Sequence, residues 1–200
     1  MEELDPEQEI RFIREMIERT RKITAGSWLF LLVWGIVPIL AVAGMYTLVA
    51  LKKFSWIWPN WVFFVTLGIV FSLIYSSTAE RKSGIKTYAQ NAAAYLARGC
   101  GVAFILVGFV FPLMKLYSWG IIPVLISLIA GILIFSLGGL FEWNLLKWCG
   151  TLFWLGALGM GFLHENYRAL LFIPLIIVGY VTPALVLRSR YKKQSEAHEP

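Results

Sequence analysis

The chain has 200 residues, of which 58% are apolar and only 15% charged. A water-soluble domain carries about a quarter charged residues and cannot hide this much apolar surface, so a soluble globular fold is excluded. The net charge of +6 gathers at the two ends and in one internal loop, which excludes a continuous basic groove for nucleic acid.

Residues 1–24 are polar and acid-rich, with no short basic region leading into an apolar core, so they do not read as a cleavable signal. Within them, residues 5–22 are predicted to form an amphipathic helix. Asp5 suits the cap and Pro6 the first turn, while Glu7 and Glu9 complement the positive helix end. Ile10, Ile13, Met16 and Ile17 share one face, and Glu7–Arg11, Glu15–Arg19 and Glu18–Lys22 pair four apart. Such a helix rests on headgroups or on the protein's own surface, or docks a cytoplasmic protein.

Six apolar runs follow over residues 25–188, with expected spans at 27–50, 56–78, 93–115, 119–140, 145–163 and 168–187. Each approaches the roughly 20 residues that a bilayer core requires. The fifth is the shortest, and Trp143, Asn144 and Lys147 at headgroup level extend its usable length. Residues 189–200 form a basic, then polar, tail. The expected fold is therefore all-α: a six-span transmembrane helical bundle with an N-terminal cytoplasmic amphipathic helix.

Orientation is read from the basic residues. With six spans, one side holds Arg11, Arg14, Arg19, Arg21, Lys22, Arg81, Lys82, Lys86, Arg98, Lys147, Arg188, Arg190, Lys192 and Lys193. The other holds Lys52, Lys53, Lys115 and Arg168. Basic residues concentrate in cytoplasmic loops, so both termini are expected in the cytoplasm. Trp56, Trp58, Trp61, Tyr117, Trp119 and Tyr167 then form an outer aromatic belt.

Candidate functional positions are few. Arg98 is the charge nearest to a span interior, and reads either as a snorkelling arginine at the start of span three or as a buried functional cation. Tyr88, Asn91 and Tyr95 belong to the same pre-span helix and supply polar groups for a partner or a lipid headgroup, or simply an amphipathic lead-in to the span. Pro38 and Pro174 lie inside spans and are candidate kinks. Ala97 with Gly101, and Ser127 with Gly131, are small residues four apart that suit close helix packing, within the bundle or in a homodimer.

The turn at residues 164–168 pairs His164 with Glu165, but a single histidine there makes a poor ligand set. Cys100 and Cys149 lie in apolar runs and read as small buried residues. No catalytic residue, cofactor site or metal site is expected, and no carboxylate lies deep in a span where an ion-coupled pump would keep one.

One internal echo is present. Trp34-Gly35-Ile36-Val37-Pro38-Ile39-Leu40 resembles Trp119-Gly120-Ile121-Ile122-Pro123-Val124-Leu125. A three-plus-three inverted repeat would produce it. No matching echo is read between spans two and five or three and six, so chance in an apolar sequence is the preferred account.

Three segments carry a wider resemblance: Ile-Arg-Glu-Met-Ile-Glu-Arg-Thr-Arg-Lys at residues 13–22 leading to Trp34-Gly35, the basic loop into Lys86-Thr87-Tyr88, and Gly-Tyr-Val-Thr-Pro-Ala-Leu-Val-Leu-Arg at residues 179–188. Together they resemble a family of bacterial polytopic membrane proteins of about this size with no established activity. The resemblance implies a bacterial inner-membrane location. The functional expectation is a non-enzymatic accessory or sensory protein acting through its cytoplasmic face, in contact with the lipid bilayer and with a cytoplasmic partner through residues 5–22. The alternative is a small channel or facilitator that also meets lipid.

Overall fold

The computed structural model describes residues 28–82 and 88–196. The helix expected over residues 5–22 lies outside them. The described chain is all-α, with no strand. Helix α1 is Trp28–Ala50, and α2 is Ile57–Lys82, preceded by a 3-10 turn at Phe54–Trp56. Helix α3 starts as Tyr88–Ile105 and passes through a π-helical segment, Leu106–Val110, into Phe111–Leu113. A 3-10 turn at Trp119–Ile121 leads into α4, Ile122–Leu140. Helix α5 is Asn144–Phe162. Helix α6 starts as Glu165–Ile176, passes through a second π segment, Ile177–Val181, and continues over Thr182–Glu196.

Six helical stretches are long and apolar enough to cross a membrane: Trp28–Ala50, Phe54–Tyr75, Tyr88–Leu113, Trp119–Leu140, Asn144–Phe162 and Glu165–Ser189. The chain is a multi-pass membrane protein. The third stretch begins at Tyr88, ahead of the expected 93, and α6 runs on as helix through Glu196, into the expected tail. Because the six helices alternate in direction, one side of the bundle carries the start of α1, the end of α2, the start of α3 and the α4–α5 turn. This is called the near side here, and the opposite side the far side.

Packing follows the small residues. The tightest pair is α4–α5, where a Cβ on Gly150 would stand 2.7 Å from the backbone nitrogen of Phe135, and one on Gly138 would stand 2.7 Å from that of Lys147. Helix α1 packs on α2 and on α6, α3 on α4, and α5 on α6. The core gathers between α1, α4, α5 and α6, with Val42, Ile134, Phe153, Met160 and Ile176 buried together. The dispersion contacts that such a core gains are what hold helices together in lipid, where the hydrophobic effect supplies no force between them. A smaller near-side cluster of Leu31, Ala184 and Leu187 ties α1 to α6, beside Arg188 over the Trp28 ring at 5.3 Å.

Polar contacts finish the α1–α2 seam. Asn60 Nδ2 donates to the carbonyl of Ala41 at 2.9 Å, and Trp34 Nε1 donates to Ser72 Oγ at 2.9 Å. Three helix ends are closed by a residue in the left-handed region: Lys52 (φ 56°), Lys115 (φ 57°) and Glu142 (φ 51°). In each case the following amide reaches back five residues, from Lys53 to Leu48, Leu116 to Phe111 and Trp143 to Gly138. This satisfies carbonyls that a helix C-terminus leaves open.

Candidate functional site: the polar seam of α3

Tyr88, Asn91, Tyr95 and Arg98 are spaced three and four residues apart, which places them within roughly 80° of arc on one face of α3. All four are exposed, Tyr88 at 88% and Tyr95 at 72%. The face continues into exposed Val102 and Ile105. Helix α3 packs on α4, and it meets α2 at the far side through the edge contact of Trp58 with Phe109, ring centroids 5.3 Å apart. The seam therefore lies on an exposed face of α3.

Arg98 is exposed and so is not a cation buried inside the bundle. Its guanidinium carbon sits 5.7 Å from the centroid of the Tyr95 ring, reaching back towards the near side. Counting back from Lys115, a core of ~30 Å takes up about 20 residues and ends near residue 95. On that count Arg98 would start about one turn from the end of the core, where a long basic side chain can reach the headgroups. Among the described residues no carboxylate pairs with it.

The other candidates separate. Gly131 lies against the indole of Trp154 and, as a Cβ position, 3.1 Å from the carbonyl of Gly150. Ser127, one turn before it, is fully buried on α4 with no hydrogen-bond partner for its Oγ. Gly101 has nothing within 4 Å of where a Cβ would stand, and Ala97 is half-buried on α3. Helix α1 stays α-helical through Pro38, and α6 does so through Pro174. The departures from α geometry fall elsewhere, in the π segments just before Pro112 and Pro183.

Two further arrangements involve contacts between segments distant in sequence. At the near end of the α4–α5 hairpin, Phe135, Asn144, Lys147, Trp148 and Thr151 line an open groove of about 420 Å³. At the far side, Arg168 Nε donates to the carbonyls of Met160 and Leu163, at 3.1 Å each, and Nη1 donates to that of Gly120 at 3.2 Å. Glu165 Oε1 lies 3.9 Å from that guanidinium and accepts from Ser118 Oγ at 2.8 Å. The turn at residues 163–168 is therefore a structural clasp between α5, α6 and the α3–α4 turn. A basic residue just beyond a helix end, where it can cap the last carbonyls, was the available signal.

Cys100 and Cys149 are buried free thiols. Among the described residues no group of three histidine, cysteine, aspartate or glutamate side chains could hold a metal ion. Outside the spans, burial pushes the Tyr117 phenol above its ordinary pKa of 10.0. No family model matches the chain, nor does any curated protein or solved structure.

Proposed function

We propose that this chain is a non-enzymatic accessory or sensory protein of a bacterial inner membrane, with both termini in the cytoplasm, working through its near side. The observation that carries the reading is the seam of Tyr88, Asn91, Tyr95 and Arg98, a polar face exposed along the outer surface of α3. Tyr88, Asn91 and Arg98 leave polar groups along this face that no other described helix of the bundle covers, so they stand available to a partner at the membrane surface. The fourteen basic residues assigned to the near side against four on the far side support the cytoplasmic orientation. The packed apolar interior between α1, α4, α5 and α6 favours this reading over a channel.

Photo-crosslinking in intact membranes tests it. A crosslinker at Asn91 or Tyr95 is expected to give a discrete adduct with a membrane or cytoplasmic protein, weakened by Arg98→Ala. One placed at exposed Leu158 on α5 is expected to give none. Lipid adducts alone from both faces would overturn the proposal.

A further inference from the structure

Three patterns recur in the same order along the chain. Trp-Gly-Ile-x-Pro-x-Leu begins at Trp34 and at Trp119, Trp-x6-Gly-x2-Phe-x-Leu at Trp61 and at Trp143, and Ile-x-Val-Gly-aromatic-Val-x-Pro at Ile105 and at Ile176. The first copies fall on helices one, two and three; of the second copies, that at Trp119 opens in the 3-10 turn before helix four, that at Trp143 at the cap of helix five, and the last lies on helix six. The expectation that spans two and five, and three and six, carry no echo is therefore corrected. Three crossings separate the partners, so the two halves are inverted with respect to one another.

The structure repeats with the sequence. Both third-helix patterns contain a five-residue π segment in identical register. In the first, the amide of Phe111 bonds to the carbonyl of Leu106; in the second, that of Thr182 bonds to Ile177. The wide turn strips the next carbonyl of its α-helical donor, and each is met by a side chain instead. Val107 accepts from the Tyr117 hydroxyl, and Val178 from the Cys149 thiol at 3.5 Å. Pro112 and Pro183 then withhold the donor that Gly108 and Gly179 would have received. The first helix of each half also ends alike, on a left-handed residue, Lys52 or Glu142.

The environments differ. Gly179 is pressed against the Phe153 ring of α5, with Cζ 2.8 Å from a Cβ position, whereas Gly108 has only Ile126 Cδ1, at 3.9 Å. One motif is packed and its copy is open.

We infer that α1–α3 and α4–α6 are inverted copies of one three-helix unit, and that the π segments Leu106–Val110 and Ile177–Val181 are its paired hinges. Exchange of the packed and open environments gives the chain a second conformation, as inverted repeats permit. This goes beyond the accessory reading and does not depend on it. A π turn concentrates bending where backbone bonds are fewest, which suits a hinge.

Hydrogen-exchange mass spectrometry on the full chain in lipid nanodiscs tests the pairing. Amides of both π segments are expected to exchange about tenfold faster than those of mid-α4. Pro112→Ala, which returns a donor to the Gly108 carbonyl, is expected to slow its own segment and to change exchange at residues 177–181 by about threefold or more. Pro183→Ala is expected to act reciprocally on residues 106–110. Gly108→Ala, for which there is room, is a second variant should a proline substitution fail to fold. Purely local effects, or π segments as protected as α4, would overturn the inference.

Discussion

Arg168 Nη1 bonds to the carbonyl of Gly120 across 48 residues of chain, while its Nε bonds to Met160 and Leu163. Three backbone carbonyls from two separate turns thus converge on one guanidinium whose side chain is only 15% exposed. Gly120 must be glycine for this: a Cβ would stand 2.7 Å from that of Glu165.

Replacing Arg168 by Gln is expected to lower stability by about 2 kcal/mol, since three part-buried carbonyls lose a charged donor. Arg168→Lys is expected to restore less than half, because an ammonium lacks the planar fork that spans the three acceptors. Thermal unfolding in detergent, followed by helical circular dichroism, reads the difference. A lysine variant as stable as the parent would refute the clasp.

Gly150→Ala is expected to destabilise by roughly 2–3 kcal/mol, because its Cβ would strike the backbone of Phe135 on a helix with no slack. Gly101→Ala meets open space and is expected to be neutral or stabilising by about 0.5–1 kcal/mol. The same melting assay ranks the two, and the order is the test.

Ser127 keeps its hydroxyl fully buried without a partner. Ser127→Ala preserves the shape and removes the desolvated group, so a gain of about 1 kcal/mol is expected. A loss of similar size, by the same measurement, would mean that the hydroxyl is paired in the membrane.

Lys52 and Glu142 hold left-handed backbone at helix ends where glycine is at ease. Lys52→Gly and Glu142→Gly are each expected to stabilise by about 0.5–1 kcal/mol, additively, since the two ends are far apart. Chemical denaturation of the single and double variants checks both size and additivity.

Tyr117→Phe leaves the Val107 carbonyl without its donor and is expected to cost about 1 kcal/mol at neutral pH. Burial raises the phenol's pKa in the folded protein, so the folded state holds this proton where the unfolded state has released it. Its contribution is therefore complete below pH ~10 and lost as pH climbs through the folded value. Melting curves between pH ~8 and ~11 should show the parent and Tyr117→Phe converging.

The all-α class and the six membrane-long helices were legible because a bilayer demands uninterrupted apolar length, which is a local property of sequence. The exposed seam was legible as a set, since Tyr88, Asn91, Tyr95 and Arg98 need only helical spacing to share a face. The helix from Tyr88 was legible as the lead-in to span three, while hydropathy marks the apolar span itself only from about residue 93, because Tyr88 to Ala92 are polar or small. The hinges were not legible in advance. The partner patterns lie 85, 82 and 71 positions apart, because the near-side link and the longer lead-in of α3 lengthen the first half, so no single offset aligns them.

Composition, run length and charge placement by themselves determined a helical membrane protein with a biased charge distribution, since the solvent alone imposes those features. Contacts between distant segments belonged to the tertiary structure: Arg168 closing on Gly120, Gly150 admitting Phe135, and two matched π segments of which one is packed and the other open. Such contacts depend on which helix faces meet, and no single helix encodes that.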